Sequence, residues 1–189
     1  MPNDLLHGEL VRLTSENPDV MASHFAHWNQ DTGFLRLLDT EPPRNFSAKK
    51  WQEWLEKDLE RPLVDGCMYA IRTLKGDDLI GFIGLFELFL HHGDAHVAIA
   101  LGERHAWNQG YGTDAMRIML RYAFNELNLR RVSLGVFEYN TRAISSYEKA
   151  GFVYEGCKRE YIHRDGKRWD FLFMGIFREE WLAKGILTS

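Results

Sequence analysis

Three strand-like runs, 67–72, 79–88 and 94–101, follow one another with little but turn residues between them. The connectors carry Lys75-Gly76-Asp77-Asp78 and His91-His92-Gly93-Asp94. Strands joined so closely pair antiparallel, so the spacing predicts a three-stranded meander. Run 79–88 is almost wholly apolar, which suits the middle of a sheet. A doubly wound dinucleotide fold alternates strand and helix from its start, and this chain does not.

The flanks complete the outline. Residues 8–13 read as a short opening strand. Asn17 and Pro18 mark a helix start, with Val20, Met21, His24, Phe25 and Trp28 at helical spacing. Segment 31–44 holds Gly33 and Pro42-Pro43 and is expected to be mostly loop, with at most one helical turn. Ser47 caps a helix over 48–60 carrying Trp51, Trp54, Leu55 and Leu59, and Pro62 stops it.

After the meander, Met116, Met119, Leu120, Ala123 and Leu127 form one helical stripe, and 131–137 alternates as a strand. That order predicts a parallel crossover. Asn140 opens a helix with Ala143, Ile144, Tyr147 and Ala150 on one side, and Gly151 ends it. Runs 152–163 and 167–177 meet at Asp165-Gly166, a hairpin signal. A short helix over 179–184 closes the chain. The expectation is an α/β fold with a mixed sheet in a single domain, 1–189: an antiparallel meander, a β-α-β crossover and a C-terminal hairpin.

With 189 residues the chain can build a real core. A formal charge of −4 argues weakly against a nucleic-acid binder and is otherwise ordinary. No run approaches a membrane span, and Met1-Pro2-Asn3-Asp4 does not open a signal peptide, so a cytoplasmic protein is expected. Cys67 and Cys157 stand in no paired motif. His91 and His92 are adjacent and cannot both face one side of a strand, and His105 and His163 lack acidic or Cys partners at ligand spacing, so no metal is expected.

The chemistry concentrates in Trp107-Asn108-Gln109-Gly110-Tyr111-Gly112-Thr113-Asp114-Ala115. Two glycines one residue apart at a helix start bare a row of backbone N–H groups. At the positive end of a helix dipole, that row suits phosphate oxygens. On these residues alone, a connector that merely turns the chain is an equal reading. Asn140 reads as a helix cap or a ligand contact, and Tyr147 as a core aromatic or a hydroxyl donor. His96 reads as a solvated or packed strand residue or as a base in the useful titration range.

Two segments together resemble the GNAT superfamily of N-acetyltransferases: 107–115, similar to its pyrophosphate loop, and Asn140-Thr141-Arg142-Ala143-Ile144-Ser145-Ser146-Tyr147-Glu148-Lys149-Ala150-Gly151-Phe152. The opening Leu6-His7-Gly8-Glu9-Leu10-Val11-Arg12-Leu13, with Trp28-Asn29-Gln30-Asp31, resembles more narrowly the branch typified by ribosomal-protein alanine N-acetyltransferases (RimJ/RimL-like). Trp107 stands where the superfamily has Gln or Arg, a substitution common in that branch. Ala95-His96-Val97 stands where the branch often has Ala-Glu-Ile.

The resemblance implies acetyl-CoA as co-substrate and an amine acceptor, either a peptide N-terminus, a polyamine or another small amine. It implies direct attack in a ternary complex. Cofactor contacts fall on Ile99, Ala100, Leu101, Asn108, Gln109, Gly110, Tyr111, Gly112, Thr113, Asn140 and Tyr147. Tyr147 is implied as the acid toward the thiolate, and His96 as the base, with Glu87 or a relayed water as alternatives. Trp28, Asp31 and Glu87 are the acceptor-side candidates. Homodimers are compatible with the resemblance. The competing readings are a non-catalytic acyl-CoA sensor or scaffold and a nucleotide-binding oxidoreductase.

Overall fold

The structure, a computed structural model, describes residues 4–59 and 66–185. The expected helix end at Glu60, its stop at Pro62 and the first three residues lie outside that set. In chain order the elements are β1 (Val11–Thr14), α1 (Pro18–Trp28), α2 (Thr32–Leu38), α3 (Ala48–Leu59), β2 (Gly66–Thr73), β3 (Leu79–Phe89) and β4 (Asp94–Leu101). A 3-10 turn at Arg104–Ala106 leads to α4 (Tyr111–Asn125), β5 (Arg131–Phe137), α5 (Thr141–Ala150), β6 (Val153–Arg164), β7 (Lys167–Phe177) and α6 (Arg178–Ala183).

The seven strands form one mixed sheet in the order β1-β2-β3-β4-β5-β7-β6. β2, β3 and β4 pair antiparallel as the short turns require. β4 and β5 run parallel across the α4 crossover. The hairpin β6–β7 inserts β7 beside β5.

Local signals set the helix ends. The Asn17 side chain accepts from Asp19 N at 2.9 Å with Pro18 in the first turn. Asn140 accepts from Ala143 N at 3.3 Å, and Gly151 closes α5 at φ 107°, a conformation that glycine adopts freely. One segment differs from expectation. Residues 32–38 form two turns of helix, because the Asp31 carboxylate caps both Gly33 N and Phe34 N. Phe34 and Leu35 then bury against α1 and α3, so tertiary packing outweighs the flanking glycine and prolines.

Strand alternation sends side chains to two separate cores. Ala95 and Val97 of β4 join Val132, Leu134 and Val136 of β5 under α4 and α5. Ala100, Leu79 and Ala70 point to the opposite face, against Met21, Phe25 and Trp28 of α1 and Phe34 of α2.

Asp114, in the first turn of α4, is 5 % exposed and holds the N-terminal segment. Its carboxylate accepts from Glu9 N (3.2 Å), Leu10 N (2.7 Å) and Val11 N (2.9 Å). Gly8 allows this approach, because a Cβ there would lie 2.4 Å from Asp114 Oδ2. Asp114→Ala strands three backbone donors in a part-buried setting, which costs about 2–4 kcal/mol. Urea unfolding should show that loss, and a midpoint within error of the parent would contradict it.

Candidate active site

β4 and β5 pair only over Asp94↔Arg131, Ala95↔Val132 and His96↔Ser133. Beyond that point β4 stays bonded to β3 as far as Leu101, and β5 to β7 as far as Phe137. The two strands therefore part, and a wedge opens through the sheet. It holds a cavity of about 440 Å³. Backbone groups of Val97–Ala100 face the wedge without a strand partner on that side. They can bond an extended ligand as a missing strand would.

One end of the cavity is the start of α4. Gly110, the residue before the helix, has φ 87° and offers no side-chain cap to the first-turn N–H groups. Those donors are left to a ligand. Gly112 lines the cavity, and a Cβ there would meet only Ser146 Oγ at 3.5 Å and Leu101 Cδ1 at 3.6 Å. Packing does not demand a glycine at this position, whereas close approach of a ligand would. Thr113 Oγ1 and Ser146 Oγ lie 2.9 Å apart and tie α4 to α5.

Trp107 is pinned by its Nε1, which donates to Leu101 O at 2.8 Å. Two guanidiniums pack on its ring: Arg142 at 3.5 Å from the centroid and Arg104 at 4.9 Å. Arg142 lines the cavity and has no acidic partner among the described residues. Burial, and to a smaller extent the Arg104 charge, pushes its pKa below the ordinary arginine value. An arginine on the cavity lining without an acidic partner among the described residues is suited to an anionic ligand.

Two titratable groups approach the wedge from opposite faces. Tyr147 lies on the α4–α5 side, is 8 % exposed and lines the cavity. Its hydroxyl makes no hydrogen bond to another described residue. Burial pushes its pKa up to about 12, so it stays a protonated donor. His96 pairs with Ser133 and shares its face of the sheet, the one toward α2. Its Nδ1 sits 3.3 Å from Ser133 Oγ. Burial lowers its pKa; the Glu87 charge raises it and Arg131 lowers it.

Glu87 does not line the cavity. It sits exposed at φ 49° in a bulge, where Phe86 pairs with His96 and Phe89 already pairs with Asp94. The bulge sets its charge beside His96.

The remaining sequence candidates divide cleanly. Ile99, Ala100, Leu101, Asn108, Gly110, Tyr111, Gly112, Thr113, Asn140 and Tyr147 all line the cavity. Gln109 is exposed and outside that lining. Trp28 is 2 % exposed, lies against Gly102 and donates to Glu103 Oε1 at 2.8 Å, so it belongs to the core. Asp31 caps α2 and pairs with Arg104, whose Nη2 is 2.7 Å from Oδ1. Neither side chain lines the cavity, although the resemblance placed both on the acceptor side.

Sequence reasoning missed the wall on the α2 side, formed by Phe34, Leu37 and Leu38 of α2 with Phe137 and Phe171. Gly135 was a readable signal in an otherwise alternating strand. A Cβ there would come 2.3 Å from the Phe171 ring, so its absence lets that ring lie over β5.

Comparison with known proteins fits this geometry. A family model described as an acetyltransferase (GNAT) domain matches residues 9–153. The SPbeta prophage-derived uncharacterized N-acetyltransferase YokL of Bacillus subtilis (strain 168) is 30% identical over 151 residues, 79% of this chain and 81% of that protein. The probable N-acetyltransferase YjcK of the same strain is 33% identical over 132 residues, 69% of each chain. The crystal structure of spermidine N-acetyltransferase from Vibrio cholerae, in complex with CoA and spermine, has the same fold. It superposes with a TM-score of 0.77 at 24% identity, covering 91% of this chain and 98% of that one.

Proposed function

The chain belongs to the acetyltransferase (GNAT) family, and from that premise we propose that it moves the acetyl group of acetyl-CoA to a primary amine by direct attack in a ternary complex, within the RimJ/RimL-like branch. The observation that carries this reading is the wedge between β4 and β5, with an uncapped helix start at one end and Tyr147 and His96 on opposite faces. Bound acetyl-CoA supplies a thioester carbonyl as the electrophile. The first-turn N–H groups of α4 and the Arg142 guanidinium hold its phosphates. The unpaired backbone of Val97–Ala100 aligns the pantetheine arm.

His96 takes a proton from the acceptor amine on the α2 side. An alkyl amine has a pKa of about 10 and arrives mostly protonated, so a base is required. Tyr147 donates its hydroxyl proton, or a hydrogen bond, to the sulfur on the other side. Neither cysteine suits covalent catalysis. Burial pushes the Cys67 thiol up, away from thiolate, and Cys157 donates its S–H to Asp170 Oδ2 at 3.5 Å.

His96 works as a base only when neutral. Its pKa lies below the ordinary histidine value because burial disfavours the imidazolium. Turnover should hold at neutral pH and fall as pH drops through a point below about 6.5. His96→Ala should lower kcat and erase that acidic limb. A limb unchanged in His96→Ala would clear the residue of base duty. Thiol release from acetyl-CoA across amines and N-terminal peptides tests the reaction itself. Release with at least one acceptor is expected, whereas tight cofactor binding with no release would favour a sensor.

A further inference from the structure

We infer that the acceptor is a primary amine on an apolar body, with no second charge close to the amino group; the inference rests on the acetyl-transfer reading and concerns the same cavity. The two faces of the wedge differ in chemistry. The cavity's arginine and lysine, Arg142 and Lys149, both stand on α5, on the face that holds Tyr147. On the α2 face, where His96 points, the wall is Phe34, Leu37, Leu38, Phe137 and Phe171. Phe171 is held in that wall by the missing side chain at Gly135.

Asp39 is the one carboxylate among the described lining residues. It ends α2 at the exposed rim, and its Oδ1 already accepts from Glu41 N at 3.1 Å. A polyamine entering here would bring further ammonium groups against phenylalanine and leucine, with no second acid among the described lining residues to meet them; Glu87, beside His96, lies outside that lining. Desolvating an unpaired cation is costly.

A free amino acid fares no better, because its carboxylate meets no available cation on this face. Arg164 donates to the carbonyls of Arg36 and Asp39, the latter at 2.5 Å, and Arg36 pairs with Asp165. An alkyl or aromatic body, by contrast, gains from every apolar contact the wall offers. A small apolar amine and the N-terminal apolar residue of a peptide share this chemistry.

The test is calorimetric binding of phenethylamine, an amidated peptide beginning with Phe, free phenylalanine and spermidine to the CoA-loaded protein, with thiol release followed in parallel. The first or second should bind at least tenfold tighter than the other two, and the tighter of the pair identifies the source. Spermidine or free phenylalanine binding equally well, or driving the fastest release, overturns the inference. Tight apolar binding with no release from any acceptor removes the acetyl-transfer reading instead. A second variant adds the missing acid. Leu38 lines the cavity yet is 40 % exposed, so Leu38→Glu should fold normally. It should raise the spermidine-to-phenethylamine ratio of kcat/KM at least tenfold; an unchanged ratio contradicts the apolar wall as the source of selectivity.

Discussion

Tyr147→Phe should lower kcat by about a hundredfold or more while leaving acetyl-CoA affinity nearly intact. The hydroxyl makes no hydrogen bond within the described protein, so its removal costs the fold little. The phenyl ring still packs toward Phe152, 6.1 Å away between centroids. What disappears is a donor that burial holds protonated, with a pKa of about 12, on the face where the proposed mechanism places the departing thiol. A departing thiolate is stabilised by such a donor. Thiol-release kinetics with calorimetry for acetyl-CoA separates the two quantities. Equal loss of turnover and affinity would make Tyr147 a packing residue, and unchanged turnover would remove its acid role.

Gly112→Val should weaken acetyl-CoA binding by about a hundredfold, because one or two charge-assisted hydrogen bonds of about 1.5–3 kcal/mol each are blocked. The free protein should not suffer in proportion. The space beside Gly112 accepts a Cβ at ordinary contact distance, and the residue sits in the first turn of α4 without a positive φ. Gly112→Ala is the milder partner. It should keep or raise Tm, since glycine in a helix is less stable than alanine by about 0.5–1 kcal/mol, yet still reduce affinity. Tm by scanning calorimetry and Kd by titration measure the two effects. Loss of both together would return the loop to a structural connector.

The α4 end of the cavity was far more legible in the sequence than its α2 wall. Gly110, Asn140, Gly151 and the alternating run at β5 act through nearest neighbours along the chain, and short-range chemistry survives in a linear pattern. The α2 wall gathers residues within 34–40, 96–100, 135–137 and 171 from four separate segments, so no local spacing announces it. Trp28 and Asp31 stand in the N-terminal helical region that the resemblance singled out, but Gly102 and Arg104 engage them. The β3 bulge at Glu87 and the burial of Asp114 under the N-terminal segment are likewise products of tertiary pairing.

On the proposed mechanism the amine reaches the thioester on one face of the wedge while sulfur leaves on the other, with both substrates present together. Initial velocities measured while acetyl-CoA and an apolar amine are varied against each other test that arrangement most directly. Direct transfer predicts intersecting double-reciprocal lines and no CoA release before the amine is added. Parallel lines, or a stoichiometric burst of CoA from protein and acetyl-CoA alone, would show an acetylated enzyme and contradict the account.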